Sequence, residues 1–164
     1  MDVNTPAVLT GPQKTSLQGI RGWLILPMLG LFYMLYQTII MMYLDILQVK
    51  SAWHLVTNEQ SDFYVDGFSN AFYMLQMAQG ILIVLLAWNV IAAFKGLKIA
   101  KPLFIISMLF YTVMVVVSRF VFPNIFGIEI EYSYIINVVN SSFYCFIWIP
   151  YVLMSDRVKQ TFIH

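Results

Sequence analysis

Long runs of apolar residues, separated by short polar stretches, set the pattern of this chain. Four runs reach about 20 residues, the length that a helix needs to cross a hydrocarbon core of roughly 30 Å. The runs are apolar on every side and about twice as long as a strand of a membrane barrel, which favours helices. The pattern predicts four transmembrane helices, over about residues 22–44, 71–94, 102–122 and 134–154.

The composition agrees with this pattern. Of the 164 residues, 60% are hydrophobic and 10% are charged, whereas a soluble domain carries about 25% charged residues. A chain of this length could not hide so many apolar side chains from water. We therefore predict an all-α integral membrane protein, a bundle of four transmembrane helices. It forms a single domain over residues 19–162, preceded by a disordered cytoplasmic tail, residues 1–18.

The cationic residues indicate how the helices are oriented. Seven of the nine fall on one side of the predicted membrane: Lys14, Arg21, Lys95, Lys98, Lys101, Arg157 and Lys159. Because cytoplasmic loops carry the excess of Lys and Arg, this side is predicted to be cytoplasmic, with both termini on it.

Two details of the connections are also predicted. The longest connection, residues 45–69, lies on the opposite side, and Thr57 with Gln60 has the spacing of a capping box. This spacing predicts a short helix that begins at Thr57 and leads into the second span. Pro123 is predicted to end the third span, because proline interrupts the hydrogen bonding of a helix.

Two terminal motifs point to a known family. The chain enters the first span through Gly19-Ile20-Arg21-Gly22-Trp23-Leu24-Ile25-Leu26-Pro27. It leaves the fourth through Trp148-Ile149-Pro150-Tyr151 and Ser155-Asp156-Arg157-Val158-Lys159-Gln160-Thr161-Phe162. This combination resembles a family of small bacterial inner-membrane proteins, a domain of unknown function. The resemblance covers about residues 19–162. It implies four spans and the bacterial inner membrane, and it implies no activity.

Arg119 is the first candidate functional residue, because it is a charge inside the third predicted span. Charges within a span are costly and often mark functional sites. Arg119 could pair with Glu129 or Glu131, or bind an anionic headgroup or ligand. The alternative is a structural ion pair on a side chain that reaches to the membrane surface.

The fourth span carries polar and aromatic residues at helical spacing, a polar stripe formed by Asn137, Asn140, Ser141 and Tyr144 and continued by Trp148 and Tyr151. Such a stripe faces other helices or a wet groove. A groove would also include polar residues of the second and third spans: Gln76, Gln79, Asn89, Ser107, Tyr111 and Ser118. The alternative is interhelical hydrogen bonding, which is worth about 0.6 kcal/mol per contact.

The cytoplasmic cations form the last candidate surface, for anionic lipid headgroups or a membrane-protein partner: Arg21, Lys95, Lys98, Lys101, Arg157 and Lys159. Each cation near an anionic leaflet contributes about 1 kcal/mol to such binding. The alternative is that these residues only set the topology.

Other chemistry is scarce in the sequence. One cysteine, Cys145, and two histidines give no metal or cofactor pattern, and a net charge of +1 does not favour nucleic acid. The predicted spans contain no His, Asp, Glu or Lys, which argues against an enzyme. We expect a non-enzymatic interaction, accessory or regulatory subunit, immunity-type subunits included. The alternative is a small oligomeric transporter or lipid-handling protein that uses the polar stripe.

Overall fold

The computed structural model describes residues 25–155 and Val158, and these residues contain helices and no strand. The elements are α1 (Ile25–Thr57), α2 (Phe68–Phe94), α3 (Ala100–Val116), a π-helical segment (Val117–Val121), α4 (Phe122–Ile125) and α5 (Tyr132–Met154). Because α3, the π-helical segment and α4 form one continuous rod, four helices are long and apolar enough to cross a membrane. The predicted fold class is confirmed: the chain is an all-α integral membrane protein. The predicted tail, residues 1–18, lies outside the described residues.

Apolar side chains cover the outside of the bundle as well as its interior. Leu31, Leu82 and Met108 are fully buried between the helices, whereas Met74 and Phe146 are 71% and 79% exposed. A soluble protein rarely shows large contiguous apolar patches to water. In a bilayer the same side chains face lipid tails, which are as apolar as they are.

The helices pack in chain order: α1 on α2, α2 on α3, and α3 on α5. The turn between α2 and α3 is short because α2 ends in a Schellman motif. Gly96 adopts a left-handed φ of 66°, its N–H donates to Ala93, and the N–H of Leu97 donates to Ala92. We call the end of the bundle with this turn the lysine end. The opposite end, with connections 58–67 and 126–131, is the long-loop end.

The first span is longer than predicted, and the helix predicted to start at Thr57 is absent from this position. Thr57 is the last residue of α1, and its hydroxyl donates to the carbonyl of Trp53 at 2.7 Å. The added turns are held by aromatic packing, since the Trp53 ring lies 5.8 Å from that of Phe72 and 5.4 Å from that of Tyr73. Most of the segment predicted as a connection is therefore helix.

The third span also passes the residue predicted to end it. Pro123 lies inside α4, is buried, and the helix continues to Ile125. Just before it, the N–H of Phe122 donates to the carbonyl of Val117, five residues back, as in a π-helix. Proline cannot donate to the carbonyl four residues back, and its ring crowds that carbonyl. The chain meets this constraint with a wider turn, which is the turn that carries Arg119.

Candidate functional site

A cleft of about 310 Å³ lies between α1, α2, the third span and α5. It runs from the level of Tyr144, near the middle of α5, to Arg119 at the long-loop end. Arg119 is six residues from the end of α4, about 9 Å along the axis. The cleft therefore lies within the thickness of the membrane, where polar side chains are expensive unless they are paired or wet.

Helix α5 forms one wall of the cleft with the polar stripe. Asn137, Asn140, Ser141 and Tyr144 all line the cleft, together with Arg119. Positions three, four and seven residues apart share one face of a helix, which explains how α5 presents all four. Trp148 continues this face but packs against Tyr144, with the two ring centroids 5.9 Å apart, and it does not line the cleft. The structure thus brings the predicted polar stripe and Arg119 to one site.

Arg119 pairs with a different carboxylate from those predicted. Its Nη2 lies 3.5 Å from Oδ1 of Asp45, and the two side chains are 10% and 13% exposed. The pairing predicted with Glu129 or Glu131 is wrong. Asp45 falls in the predicted connection, whereas in the structure it belongs to the longer α1, which places it next to the π-helical segment.

Two further groups surround the guanidinium of Arg119. The guanidinium carbon lies 5.0 Å above the ring of Tyr134, a cation–π contact, and Nη2 contacts the sulfur of Met41. A thioether sulfur is only a weak acceptor. Arg119 is therefore buried by soft and aromatic groups, and Asp45 is the one carboxylate that it contacts among the described residues.

Asp45 connects Arg119 to the second helix. The side-chain nitrogen of Gln79 donates to Oδ2 of Asp45 at 3.1 Å, so a polar chain joins α2, α1 and the π-helical segment. The other amide atom of Gln79, Oε1, is buried with no hydrogen-bond partner in the described structure, and Gln79 lines the cleft. A buried amide without its partner is an acceptor that a bound molecule or water would satisfy.

Helix α1 supplies residues that the sequence analysis missed. Tyr33, Gln37 and Thr38 line the cleft opposite α5, and the Gln37 amide donates to the Tyr33 hydroxyl at 2.6 Å. These residues are uncharged and lie in a long apolar run, so the composition around them predicts only a membrane span. The available signal was the spacing of four residues between Tyr33 and Gln37, which places these two on one side of a helix.

The mouth of the cleft lies between α1 and α5, which pack less closely than the neighbouring helices. Tyr33 on α1 is 59% exposed and Asn140 on α5 is also exposed, and both line the cleft. Nearer the lysine end the two helices meet. The Tyr144 hydroxyl lies so close to Gly30 there that a Cβ atom at this position would overlap it. A larger residue at position 30 would force the Tyr144 ring to move. From this crossing toward the long-loop end, the cleft opens sideways.

Other polar residues expected in a groove serve helix packing. The Asn89 amide donates to the Ser107 hydroxyl at 2.7 Å, and both side chains are fully buried between α2 and α3. Neither residue lines the cleft, and neither does Gln76. Cys145 lies 2.9 Å from the hydroxyl of Thr112, between α3 and α5. For Asn89 and Ser107, interhelical hydrogen bonding is therefore the correct interpretation.

Part of the predicted cationic surface is exposed at the lysine end. Lys95 and Lys98 are exposed, while the Lys101 amine lies 3.5 Å from the carbonyl of Leu153, in the last turn of α5. That contact satisfies a terminal carbonyl of the helix. Arg21, Arg157 and Lys159 lie outside the described residues, so their role as lipid or partner contacts stays a prediction. In the described part of the chain, no group of three or more metal-binding side chains comes together.

The chain was compared with known protein families, curated proteins and solved structures. No curated protein and no solved structure resembles the chain significantly. The sequence does match, over residues 17–163, a family described as "Protein of unknown function (DUF2569)". This match spans nearly the whole chain and includes both terminal motifs. It confirms the family resemblance noted in the sequence, and the chain belongs to the DUF2569 family of proteins of unknown function.

Proposed function

We propose that this protein is a non-enzymatic membrane protein that binds a lipid or a lipid-like amphiphile in the cleft between α1 and α5. The observation that carries the proposal is the sideways mouth of a polar cleft within the membrane. Asn140, at that mouth, lies eight residues from the start of α5, about 12 Å along the helix. That depth is in the hydrocarbon region, so the mouth meets lipid.

The lining suits a molecule with a polar head and an apolar chain. Amides and hydroxyls of four helices face the cleft, and Met34, Leu82 and Met114 line it between them. Ligand sites commonly combine an apolar lining with a few placed polar groups. A head among the polar side chains, with a chain leaving between α1 and α5, would use both parts of this lining.

Catalysis has less support from the cleft. Asp45 does not line the cleft, and its carboxylate contacts Arg119 and Gln79, two residues that do, instead of a nucleophile. Nucleophilic catalysis needs a nucleophile within reach of a base. Binding or transfer of an amphiphile fits the arrangement without a chemical step.

The accessory or regulatory role is the second candidate, and the exposure of α5 favours it. Asn140 and Phe143 both face outward on this helix, and an amide facing lipid is costly. A helix of a partner protein, or of a second copy, would cover it. In that case purification in mild detergent should yield a stoichiometric membrane protein, and cleft variants should leave that complex intact.

We also propose the bacterial inner membrane as the location, with both termini in the cytoplasm. Exposed Lys95 and Lys98 at one end of the bundle support this orientation, since positive residues stay on the cytoplasmic side. The family resemblance supports the choice of membrane.

Native mass spectrometry of the detergent-purified protein, with individual phospholipids added, tests the binding proposal. The test variant is Ser141→Leu, which fills the cleft from a buried position on α5. The matched control is Ser142→Leu, the same change at the next residue, which does not line the cleft. We expect Ser141→Leu to weaken lipid binding at least tenfold and the control to retain it. Equal binding by both variants would refute the cleft as the binding site.

A further inference from the structure

We infer that the head of the bound molecule is anionic, and that Arg119 holds it by exchanging its contact with Asp45 for the ligand. This inference rests on the proposed function and names the chemistry of its ligand. The source to which we commit is the phosphate of an anionic membrane lipid. A free phosphate offers the same chemistry, and the experiment below separates the two.

The first step of the argument is the looseness of the ion pair. The 3.5 Å between Arg119 and Asp45 exceeds the 2.7–2.9 Å of a charge-assisted hydrogen bond. Among the described residues, the guanidinium also contacts the sulfur of Met41 and the ring face of Tyr134. A guanidinium has five N–H donors in a fixed fork. This environment therefore leaves it without the short oxygen contacts that a phosphate would provide.

The second step is that Asp45 keeps a partner when Arg119 turns to a ligand. Gln79 donates to Oδ2 of Asp45 at 3.1 Å, whereas Arg119 approaches Oδ1. Asp45 is also the twenty-first residue of α1, about 30 Å from its described start. That distance places the carboxylate near the membrane surface at the long-loop end. Asp45 therefore keeps the hydrogen bond from Gln79 when Arg119 contacts a ligand.

The third step is the position of Arg119 relative to the mouth. Arg119 lines the cleft together with Ser118 of the π-helical segment and Asn137 of α5. These three side chains combine a cation with neutral donors, the set that binds phosphate oxygens. A headgroup in contact with them lies at the end of the cleft nearest the membrane surface, where lipid headgroups are found. Its chain then follows the cleft toward Tyr144 and leaves between α1 and α5.

The alternative ligand classes fit less well. A cationic head would compete with Arg119 for Asp45 and would face the guanidinium directly. A neutral head would use the amides but gives no reason for a buried arginine in a loose pair. An anion uses Arg119 and leaves Asp45 with Gln79.

The test is whether removing the charge of Arg119 and removing that of Asp45 have opposite effects on lipid binding. Binding of phosphatidylglycerol and of phosphatidylcholine is measured by native mass spectrometry for Arg119→Gln and Asp45→Asn. Arg119→Gln should weaken phosphatidylglycerol binding by about tenfold or more, the expected loss for a hydrogen bond to a charged group. Asp45→Asn should strengthen it several-fold, because a competing anion is removed. Phosphatidylcholine, which has no net charge, should respond less to either variant.

Matched controls separate these effects from general surface charge. Lys50→Gln and Glu59→Gln remove the same charges from exposed residues near the long-loop end and should leave binding unchanged. Because Arg119→Gln alone leaves Asp45 without its cation, the double variant Asp45→Asn/Arg119→Gln protects against misfolding. It should fold and bind phosphatidylglycerol as weakly as Arg119→Gln does.

Each remaining outcome is informative. Phosphatidylglycerol binding that Ser141→Leu abolishes but Arg119→Gln leaves intact would overturn the anionic inference and preserve the proposed function. Failure of Ser141→Leu to affect any lipid would overturn the proposed function itself. If inorganic phosphate binds in an Arg119-dependent manner while phosphatidylglycerol does not, the ligand is a free anion and the lipid source is wrong.

Discussion

Replacing Ser107 by alanine should destabilise the bundle by more than the worth of one hydrogen bond. Ser107 accepts a bond from the Asn89 amide at 2.7 Å and donates to the carbonyl of Leu103 at 2.8 Å. Asn89 and Ser107 are fully buried, and Oδ1 of Asn89 already has no partner in the described structure. Loss of the hydroxyl therefore leaves the whole Asn89 amide without a hydrogen bond.

The expected loss of stability follows from the lost hydrogen bond and from the Asn89 amide that is left without a partner. An interhelical hydrogen bond in a membrane is worth about 0.6 kcal/mol on average. A buried donor left without a partner costs about 1–3 kcal/mol. Ser107→Ala should therefore lower the free energy of unfolding by about 1–3 kcal/mol. Adding Asn89→Leu removes the stranded amide at similar volume, so the double variant should be more stable than Ser107→Ala alone.

The assay is reversible unfolding in mixed micelles by added dodecyl sulfate, followed by circular dichroism, with the four variants forming a double-mutant cycle. Additive effects of the two substitutions would refute the reasoning. So would a Ser107→Ala protein within about 0.5 kcal/mol of the parent, the usual range for surface changes. Since neither residue lines the cleft, lipid binding should be unchanged in every variant that folds.

Three further predictions follow from the structure. Gly30→Ala should cost about 1–3 kcal/mol by overpacking against Tyr144, with the loss reduced when Tyr144 is also shortened to valine; unfolding in mixed micelles measures both. Phe68→Ala should cost about 3–5 kcal/mol in the same assay, because Phe68 packs within the aromatic cluster at the long-loop end. In a cysteine-free background, Asp62→Cys should react with an impermeant maleimide on intact spheroplasts and Lys98→Cys only after lysis; the reverse result would refute the proposed orientation.

The membrane fold is predictable from the sequence because it depends on composition over about 20 residues at a time. Each predicted span lies in a helix of the structure, apart from the first residues of the earliest one, which lie outside the described range. The bounds were harder to predict where polar and aromatic residues alternate. Trp53 lies in the predicted connection, residues 45–69, but its contacts with Phe72 and Tyr73 hold three more turns of helix.

The cleft was predictable on one wall only. The stripe from Asn137 to Tyr144 is visible because its spacing is local. The ion pair of Arg119 with Asp45 joins residues far apart in sequence, so their contact depends on how α1 packs beside the third span. Glu129 and Glu131 are closer to Arg119 along the chain, but helix packing places Asp45 beside it instead. The π-helical turn around Arg119 has no sequence signal beyond Pro123.

The extension of α1 affects the cleft, because it determines where Asp45 lies. Helix α1 has 33 residues and is about 50 Å long, which exceeds a hydrocarbon core of roughly 30 Å by several turns. The turns near Lys50 therefore stand in water or headgroups. A connection and a helix at this place differ sharply in their susceptibility to proteases, which prefer exposed and disordered loops.

Trypsin digestion of the purified protein distinguishes a helix from a connection at Lys50, since this residue is exposed to the protease. In the helix, cleavage after Lys50 should be slow. Ala52→Pro removes a hydrogen bond of this helix and costs about 3 kcal/mol, so it should accelerate cleavage there strongly. The control Asp62→Pro, in connection 58–67, should not. Rapid cleavage of the parent protein at Lys50 would show that the extension is not a stable helix. The anchoring of Asp45 beside Arg119 would then lose its structural basis.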